Sequence, residues 1–264
     1  MGRVLMPLVP LVVIVLVWQV ATTYWLTHAR LFPSPVAVAQ EVVNILQGEG
    51  PVNSTYVDAA ATFRRIITAF VLSFVIGASL GVLAGRKAAV FHFVSTPMWV
   101  SMAVPSVVWA FIFVVMLGTG DIVPVAALMA LLIPNVLITV AEGTKALSKE
   151  LNEMAVSFGT STWQRVREVY LPQLTPYLFS SARVSFGLAM KVAVVAEVIG
   201  LEEGIGYELD YWYTQTVLAP IVAWGLVLVA IGLAVDHLVF SPLERRVSRW
   251  RPSAGQSTRA REVV

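Results

Sequence analysis

From Ala88 to Gly120 the chain carries no Asp, Glu, Lys or Arg, and none interrupts the stretch between Arg3 and His28. A helix that crosses the hydrocarbon core of a bilayer needs about 20 predominantly apolar residues. A water-soluble domain would have to hide such runs in its core, and these are too long for that. The totals agree: 58% of the 264 residues are hydrophobic, 13% are charged and the mean hydropathy is +0.79. Soluble domains carry roughly 45–50% apolar and about 25% charged residues. The sequence therefore predicts an all-α membrane protein whose apolar runs are transmembrane helices.

Six spans follow from these runs and their breaks: Leu5 to Leu26, Ala59 to Gly85, Val104 to Leu117, Ile122 to Ala141, Pro176 to Leu201 and Thr214 to Phe240. The first is read as a retained span, since it is long for a signal sequence and lacks a small-x-small cleavage site. Trp18, Tyr24 and Trp25 suit a membrane–water interface. The prolines of Leu31-Phe-Pro-Ser-Pro35 break the chain. A short helical stripe, Val36 to Gln47, and a polar loop, Gly48 to Ser54, come next. Gly77, Gly81 and Gly85 lie four apart on one face of the second span, a spacing that lets two membrane helices approach closely. Pro97 and Pro105 divide the long uncharged run into a surface segment, Ala88 to Met102, and the third span, and Pro134 interrupts the fourth. The expected organisation is an N-terminal span (1–30), an external loop with its short helix (31–58), a core of five spans (59–242) containing a loop at 142–175, and a basic tail (243–264) that is polar and disordered from Ser253.

Lysine and arginine orient the bundle. With both termini on the cytoplasmic side, Arg3, Arg86, Lys87, Lys145, Lys149, Arg165, Arg167, Arg245, Arg246, Arg249 and Arg251 all fall inside. Arg30 falls outside, as do the acids Asp121, Glu202, Glu203, Glu208 and Asp210, the last four of them read as an ordinary solvated surface. Arg64 and Arg65, near the outer end of the second span, are the exceptions, and are expected to snorkel or to sit just above the membrane.

The net charge of +2 is too small to imply a nucleic-acid partner, and the absence of cysteine removes thiolate chemistry and disulfides. His28, His92 and His237 form no ligand pattern. No Gly-x-x-x-x-Gly-Lys-Ser/Thr phosphate loop occurs, so any nucleotide site belongs to another polypeptide. No catalytic constellation is visible, and the chain is not expected to be an enzyme.

The loop from Glu142 to Thr175 has more structure than a connection needs. It reads Glu153-Met-Ala155, then Gly159, then Val169-Tyr-Leu171-Pro172. Two short helices are predicted. The first, about Ser148 to Phe158, stops at Gly159, where a left-handed residue is tolerated. Ser161 or Thr162 caps the second, which presents Trp163, Val166 and Val169 on one side, and Leu171-Pro172 turns the chain back to the membrane. Such an element is either a plug for a partner's groove or an amphipathic segment lying on lipid.

The spacing resembles the EAA loop of binding-protein-dependent ATP-binding-cassette importer permeases: Glu-Ala-Ala, three residues, Gly, nine residues, Ile-x-Leu-Pro. Met154 and Val169 depart from it mildly. The likeness runs from about Leu31 to Pro252 and is greatest to permeases of the nitrate, sulfonate and taurine type. It includes Leu31 to Pro35, Pro134-Asn135, Ala182-Arg183, Ala196-Glu197, Gly204-Ile-Gly206-Tyr207, Leu243 to Arg246 and Trp250-Arg251. Members often show Trp-Phe-Gly-x-Gly where this chain has Val115 to Gly120.

The resemblance implies a type I importer-like bundle in a cell inner membrane, working as two copies of the permease with two copies of an ATPase subunit and an external solute-binding protein. ATP and magnesium would belong to the ATPase, and no cofactor to this chain. Glu153, Ala155, Gly159, Leu171 and Pro172 would carry the coupling to the ATPase, and the solute would be a small anion such as sulfonate, taurine or nitrate.

Within the fifth span, Arg183, Lys191 and Glu197 are ionisable groups at membrane depth, where such groups mark a pathway or a pair. Lys191 and Glu197 are the candidates for the translocation path. The alternative is that Arg183 snorkels inward, Glu197 outward, and Lys191 bonds a neighbouring helix. Glu197, six residues from Lys191, does not face it on one helix. An ion-coupled secondary transporter is the rival class, although no internal repeat is evident, and a membrane-embedded enzyme ranks last.

Overall fold

The computed structural model describes residues 9–24, 31–199 and 201–247. The outer parts of the first expected span, and the tail from Ser253, lie outside the described residues. Every regular element among those described is helical: α1 (Val9–Tyr24), α2 (Pro35–Gln47), α3 (Thr55–Arg86), α4 (Ala88–Ala103), α5 (Ser106–Leu117), α6 (Ile122–Lys145), α7 (Lys149–Ser157), the short α8 (Thr162–Gln164), α9 (Leu171–Glu197), α10 (Ile205–Thr214), α11 (Leu218–Val235) and α12 (Ser241–Val247). π-Helical segments at Arg165–Tyr170 and Asp236–Phe240 join α8 to α9 and α11 to α12.

Among the described residues four helical runs are long and apolar enough to cross a membrane: Thr55–Arg86, Ile122–Lys145, Thr162–Glu197 and Leu218–Arg246. α4 and α5 amount to a fifth only as a pair broken at Val104-Pro105. Large apolar side chains stand exposed along α1 (Val13 and Val17), α3 (Val71 and Val75) and α11 (Leu226, Val229 and Leu233). Such a surface belongs against lipid rather than water.

The division expected of the long uncharged run falls at Val104-Pro105, between α4 and α5. Pro97 and Pro134 lie inside α4 and α6 without ending either helix, because lost backbone bonds can be absorbed locally by helix adjustment in membrane proteins. Leu171-Pro172 does not turn the chain. The run from Thr162 to Glu197 is continuous, and the π segment before Pro172 supplies the wider turn that accommodates a ring lacking an N–H.

The chain divides into two compact units, one of Met1–Thr68, Ser106–Leu128 and Met190–Ile231, the other of Ala69–Pro105, Met129–Ala189 and Gly232–Val264. In the first, Ser34 caps α2 by accepting from the Ala37 amide at 3.2 Å, Pro35 opens it, and Gly48 closes it. The core there packs Val38 and Ile45 of α2 with Ile205, Ala219, Ala223 and Trp224. Trp18 joins them, and its indole donates to the Pro33 carbonyl at 3.0 Å.

In the second unit the glycine stripe of α3 lies against α6, as its spacing predicts. A Cβ on Gly77 would sit 2.8 Å from Val136, and one on Gly81 2.7 Å from the Leu137 carbonyl. Gly85 meets Thr144 and the Ala141 carbonyl in the same way. Leu137, Ala141, Val136 and Val140 fill the core around this contact.

Candidate functional site

The loop element in the second unit is built by local chemistry that its sequence specifies. Ser148 caps α7, its hydroxyl accepting from the Leu151 amide at 3.2 Å. Gly159 follows with φ +68°, and the Thr160 hydroxyl donates to the Ala155 carbonyl at 2.7 Å. Ser161 and Gln164 then form a reciprocal capping box, with bonds of 3.3 and 2.8 Å. Ser161, not Thr162, is thus the cap.

One side of α7 is fastened. The Tyr170 hydroxyl donates to Asn152 at 2.6 Å, the Ser148 amide donates to Gln173 at 3.0 Å, and Ala155 is buried. The Arg86 guanidinium lies over the Tyr170 ring, 5.2 Å from its centre. Other parts of the element are open: Met154 of α7 is 52%, Phe158 just after it 80% and Trp163 of α8 70% exposed. Three large apolar side chains displayed on a short, firmly anchored element make a surface suited to a partner's groove. Of the expected coupling residues, Glu153, Gly159 and Leu171 are exposed, Ala155 is buried beneath them, and Pro172 is half-buried.

The first unit holds a charge network that no local pattern announces. Asp58, Thr62 and Arg65 follow one another at i, i+4 and i+7 on α3, and so share a face. Arg65 is 1% exposed and donates through Nη1 to Glu197 Oε1 at 2.8 Å and to the Glu203 carbonyl at 3.0 Å. Its Nε reaches Asp121 Oδ1 at 2.7 Å, and Nη2 reaches Glu203 Oε1 at 3.1 Å. Arg64 pairs with Asp121 as well. Both arginines are therefore ion-paired. Glu197 is wholly buried rather than directed outward, and it also accepts from the Thr62 hydroxyl at 2.8 Å.

The same acceptors cap α10. Its first free amides, those of Gly204, Ile205 and Gly206, donate to Asp58 Oδ1 (2.7 Å), Thr62 Oγ1 (2.9 Å) and Glu197 Oε2 (3.1 Å). Helix N-termini carry unsatisfied N–H groups and partial positive charge, which suits two carboxylates. Glycine is required here. Gly204 has φ +118°, and a Cβ on it would lie 2.7 Å from Arg65 Nη1 and 2.8 Å from Glu197 Oε2.

Glu208 was expected on a solvated surface and is instead 2% exposed. The polarity of its sequence neighbours hides that it lies on the inner face of α10. Its Oε2 accepts from the Trp224 indole at 2.7 Å, while its Oε1 and Asp58 Oδ2 are buried with no hydrogen-bond partner among the described residues. Burial first, and then the neighbouring Asp58 carboxyl, push Glu208 up to about 7.

Lys191 is exposed and has no hydrogen-bond or ion-pair partner among the described residues. Arg183 does not snorkel alone: it grips Asp236 through two bonds of 2.6 and 2.7 Å and Glu244 at 2.7 Å. Among the described residues no group of three or more His, Cys, Asp or Glu is placed to hold a metal.

An apolar helical chain with an anchored loop helix of this spacing defines a class, and comparison with known proteins gives its family. Residues 73–249 match the family described as binding-protein-dependent transport system inner membrane component, and the chain belongs to that family. It is an inner-membrane transport permease, and the family is not one of catalytic enzymes. Similar curated proteins include the taurine transport system permease protein TauC of Escherichia coli, 24% identical over 91% of this chain and 87% of that protein. The bicarbonate transport system permease protein CmpB of Synechococcus elongatus is 22% identical over 89% and 87%. The nitrate import permease protein NrtB of Synechocystis is 21% identical over 90% and 87%. Among solved structures, an amino acid ABC transporter chain superposes with a TM-score of 0.62, at 18% identity, covering 80% of this chain and 97% of that one. A chain of the MetNI methionine ABC transporter superposes with a TM-score of 0.55, at 18% identity, over 80% and 96%. These likenesses establish the importer-permease fold.

Proposed function

We propose that this chain forms, with a second copy of itself, the translocation path of an ATP-driven importer for a small anion of the sulfonate, taurine or nitrate kind. In this proposal each copy has six spans with both termini in the cytoplasm. An external binding protein delivers the solute, and two copies of a separate ATPase subunit hold ATP and magnesium. The loop element at 148–172 docks into the ATPase: Met154, Phe158 and Trp163 enter its groove, Glu153 flanks them, and Ala155 and Gly159 set the shape of the plug. Leu171 and Pro172 pass the displacement into α9. Lys191 is the exposed cation on the path. Glu197 contributes by holding Arg65 and the start of α10.

The observation that carries the reading is the one-sided fastening of α7, with Met154, Phe158 and Trp163 of the same loop element left displayed. The relatives named for taurine, nitrate and bicarbonate support an anionic solute. The test is a mild-detergent pull-down of the tagged chain from native membranes with its companions identified by mass spectrometry. A stoichiometric partner carrying a phosphate loop is expected. Recovery of the chain alone, under conditions that keep known complexes intact, would overturn the proposal.

A further inference from the structure

A cleft of about 300 Å³ lies in the second unit where α3 and α6 end and α7 begins, and Arg86, Lys145, Ser148, Lys149, Asn152 and Tyr170 help to line it. Three of these six are cations, no carboxylate lines the cleft, and none of the three is ion-paired among the described residues. Clustering like charges without a counter-charge is unfavourable, and an anion placed among them relieves it. The volume is at the small end of the range for ligand sites, roughly 300–1,000 Å³.

Two of the cations are held in place beforehand. Arg86 lies over Tyr170, whose hydroxyl is fixed by Asn152, and the Lys145 ammonium sits 2.9 Å from the centre of the Phe91 ring. A cation held over a ring is restrained without using up its N–H donors, which can then meet phosphate oxygens. Arg86 and Lys145 are the last residues of two long apolar helices, and Lys149 is the first of α7. That places the cleft at the level of lipid headgroups, where basic pockets at helix ends bind anionic lipids.

We infer that this cleft binds a phosphate group, that of an anionic membrane lipid headgroup, and thereby fastens the loop helix to the ends of α3 and α6. The inference rests on the permease reading for the side of the membrane it assigns, the cytoplasmic one. It does not depend on which ATPase or solute the chain serves.

The full-length chain would be reconstituted in nanodiscs of phosphatidylcholine alone or with phosphatidylglycerol, released, and weighed by native mass spectrometry for retained lipid. Wild-type chain is expected to keep phosphatidylglycerol. The triple variant Arg86→Gln, Lys145→Gln, Lys149→Gln should lose at least about tenfold of that retention, since each cation near an anionic surface contributes severalfold. Lys149→Gln alone, at an exposed position, should lose a measurable share even if the triple variant fails to fold. Arg245→Gln with Arg246→Gln, also exposed but outside the cleft, should lose less than the triple variant. An added arm with inorganic phosphate distinguishes the sources. Phosphate that displaces the lipid at millimolar concentration assigns the cleft to the free anion, and lipid that resists it assigns the cleft to headgroups. Equal retention by wild type, triple variant and Lys149→Gln would overturn the inference, as would equal losses in the Arg245/Arg246 control. Because lipid retention is read without the ATPase, its failure is separable from failure of the pull-down above.

Discussion

Arg65 and Glu197 stand 132 residues apart in the chain and meet through a 2.8 Å bond, with side chains 1% and 0% exposed. Removing one partner of a buried ion pair leaves the other charged and unmatched, which typically costs about 3–5 kcal/mol. Arg65→Ala is expected to lose stability of that order in equilibrium unfolding in mixed micelles. Glu197→Gln should lose less, about 1–3 kcal/mol, because Asp121 and Glu203 still face the guanidinium. The double variant should cost less than the sum of the two, since each single change already breaks the shared contact.

The Asp58–Glu208 neighbourhood predicts a pH dependence. Glu208 is raised from 4.5 to about 7 in the folded chain, so the folded state holds a proton that the unfolded chain has released. The associated stability is whole below pH 4.5, declines as the pH rises toward 7 and is gone above it. The proton on Glu208 gives its buried carboxyl a donor. Melting temperatures recorded across this range should fall with rising pH in the wild type. In Glu208→Gln, which keeps an acceptor for the Trp224 indole, the slope should flatten. An unchanged slope would rule out Glu208 as the titrating group.

The glycine stripe gives a packing prediction. A side chain on Gly81 meets the Leu137 carbonyl and Val140, and backbone yields poorly to overpacking, which costs typically 1–3 kcal/mol. Gly81→Val should lower the melting temperature and the yield of folded chain. Gly187→Ala, also within a helix but with no atom near the added Cβ, should be neutral or gain up to about 1 kcal/mol. Similar behaviour of the two variants would contradict the assigned α3–α6 contact.

Gly159 tests the coupling role. Its φ of +68° strains any other residue, yet nothing lies near an added Cβ. Gly159→Glu should therefore leave the membrane bundle folded while disturbing the plug it terminates. In proteoliposomes with the partner ATPase and binding protein, solute uptake per ATP hydrolysed should drop by at least about tenfold. Coupled transport at the wild-type ratio would remove Gly159 from the mechanism.

The loop element was legible because its instructions are local: Ser148, Gly159 and Ser161 act within four residues of themselves, and each behaves as its spacing predicts. The glycine stripe was legible for the same reason. Pro172 departs from the expectation, since the helix continues through it, whereas Pro97 and Pro134 lie inside their segments as expected. The charge network was hidden by distance along the chain. The cation nearest Glu197 in the sequence is Lys191 on its own helix, whereas its partner comes from α3. One signal was available: Asp58, Thr62 and Arg65 form a polar stripe on one face of an otherwise apolar helix, and such groups in a membrane require polar company. Glu208 gave no such sign, because its burial is decided by α2 and α11 packing around α10.

The turn at Gly204 has a consequence for how this chain can drift. Its missing side chain is the space that Arg65 and Glu197 occupy, and Gly206 is pressed against Glu197 in the same way. Positions 65, 197, 204 and 206 therefore answer to a single constraint. A saturating mutational library should show all four intolerant together, while exposed Glu202, two residues before the turn, varies freely. Change at any one of the four is open only to lineages that have already rebuilt the others.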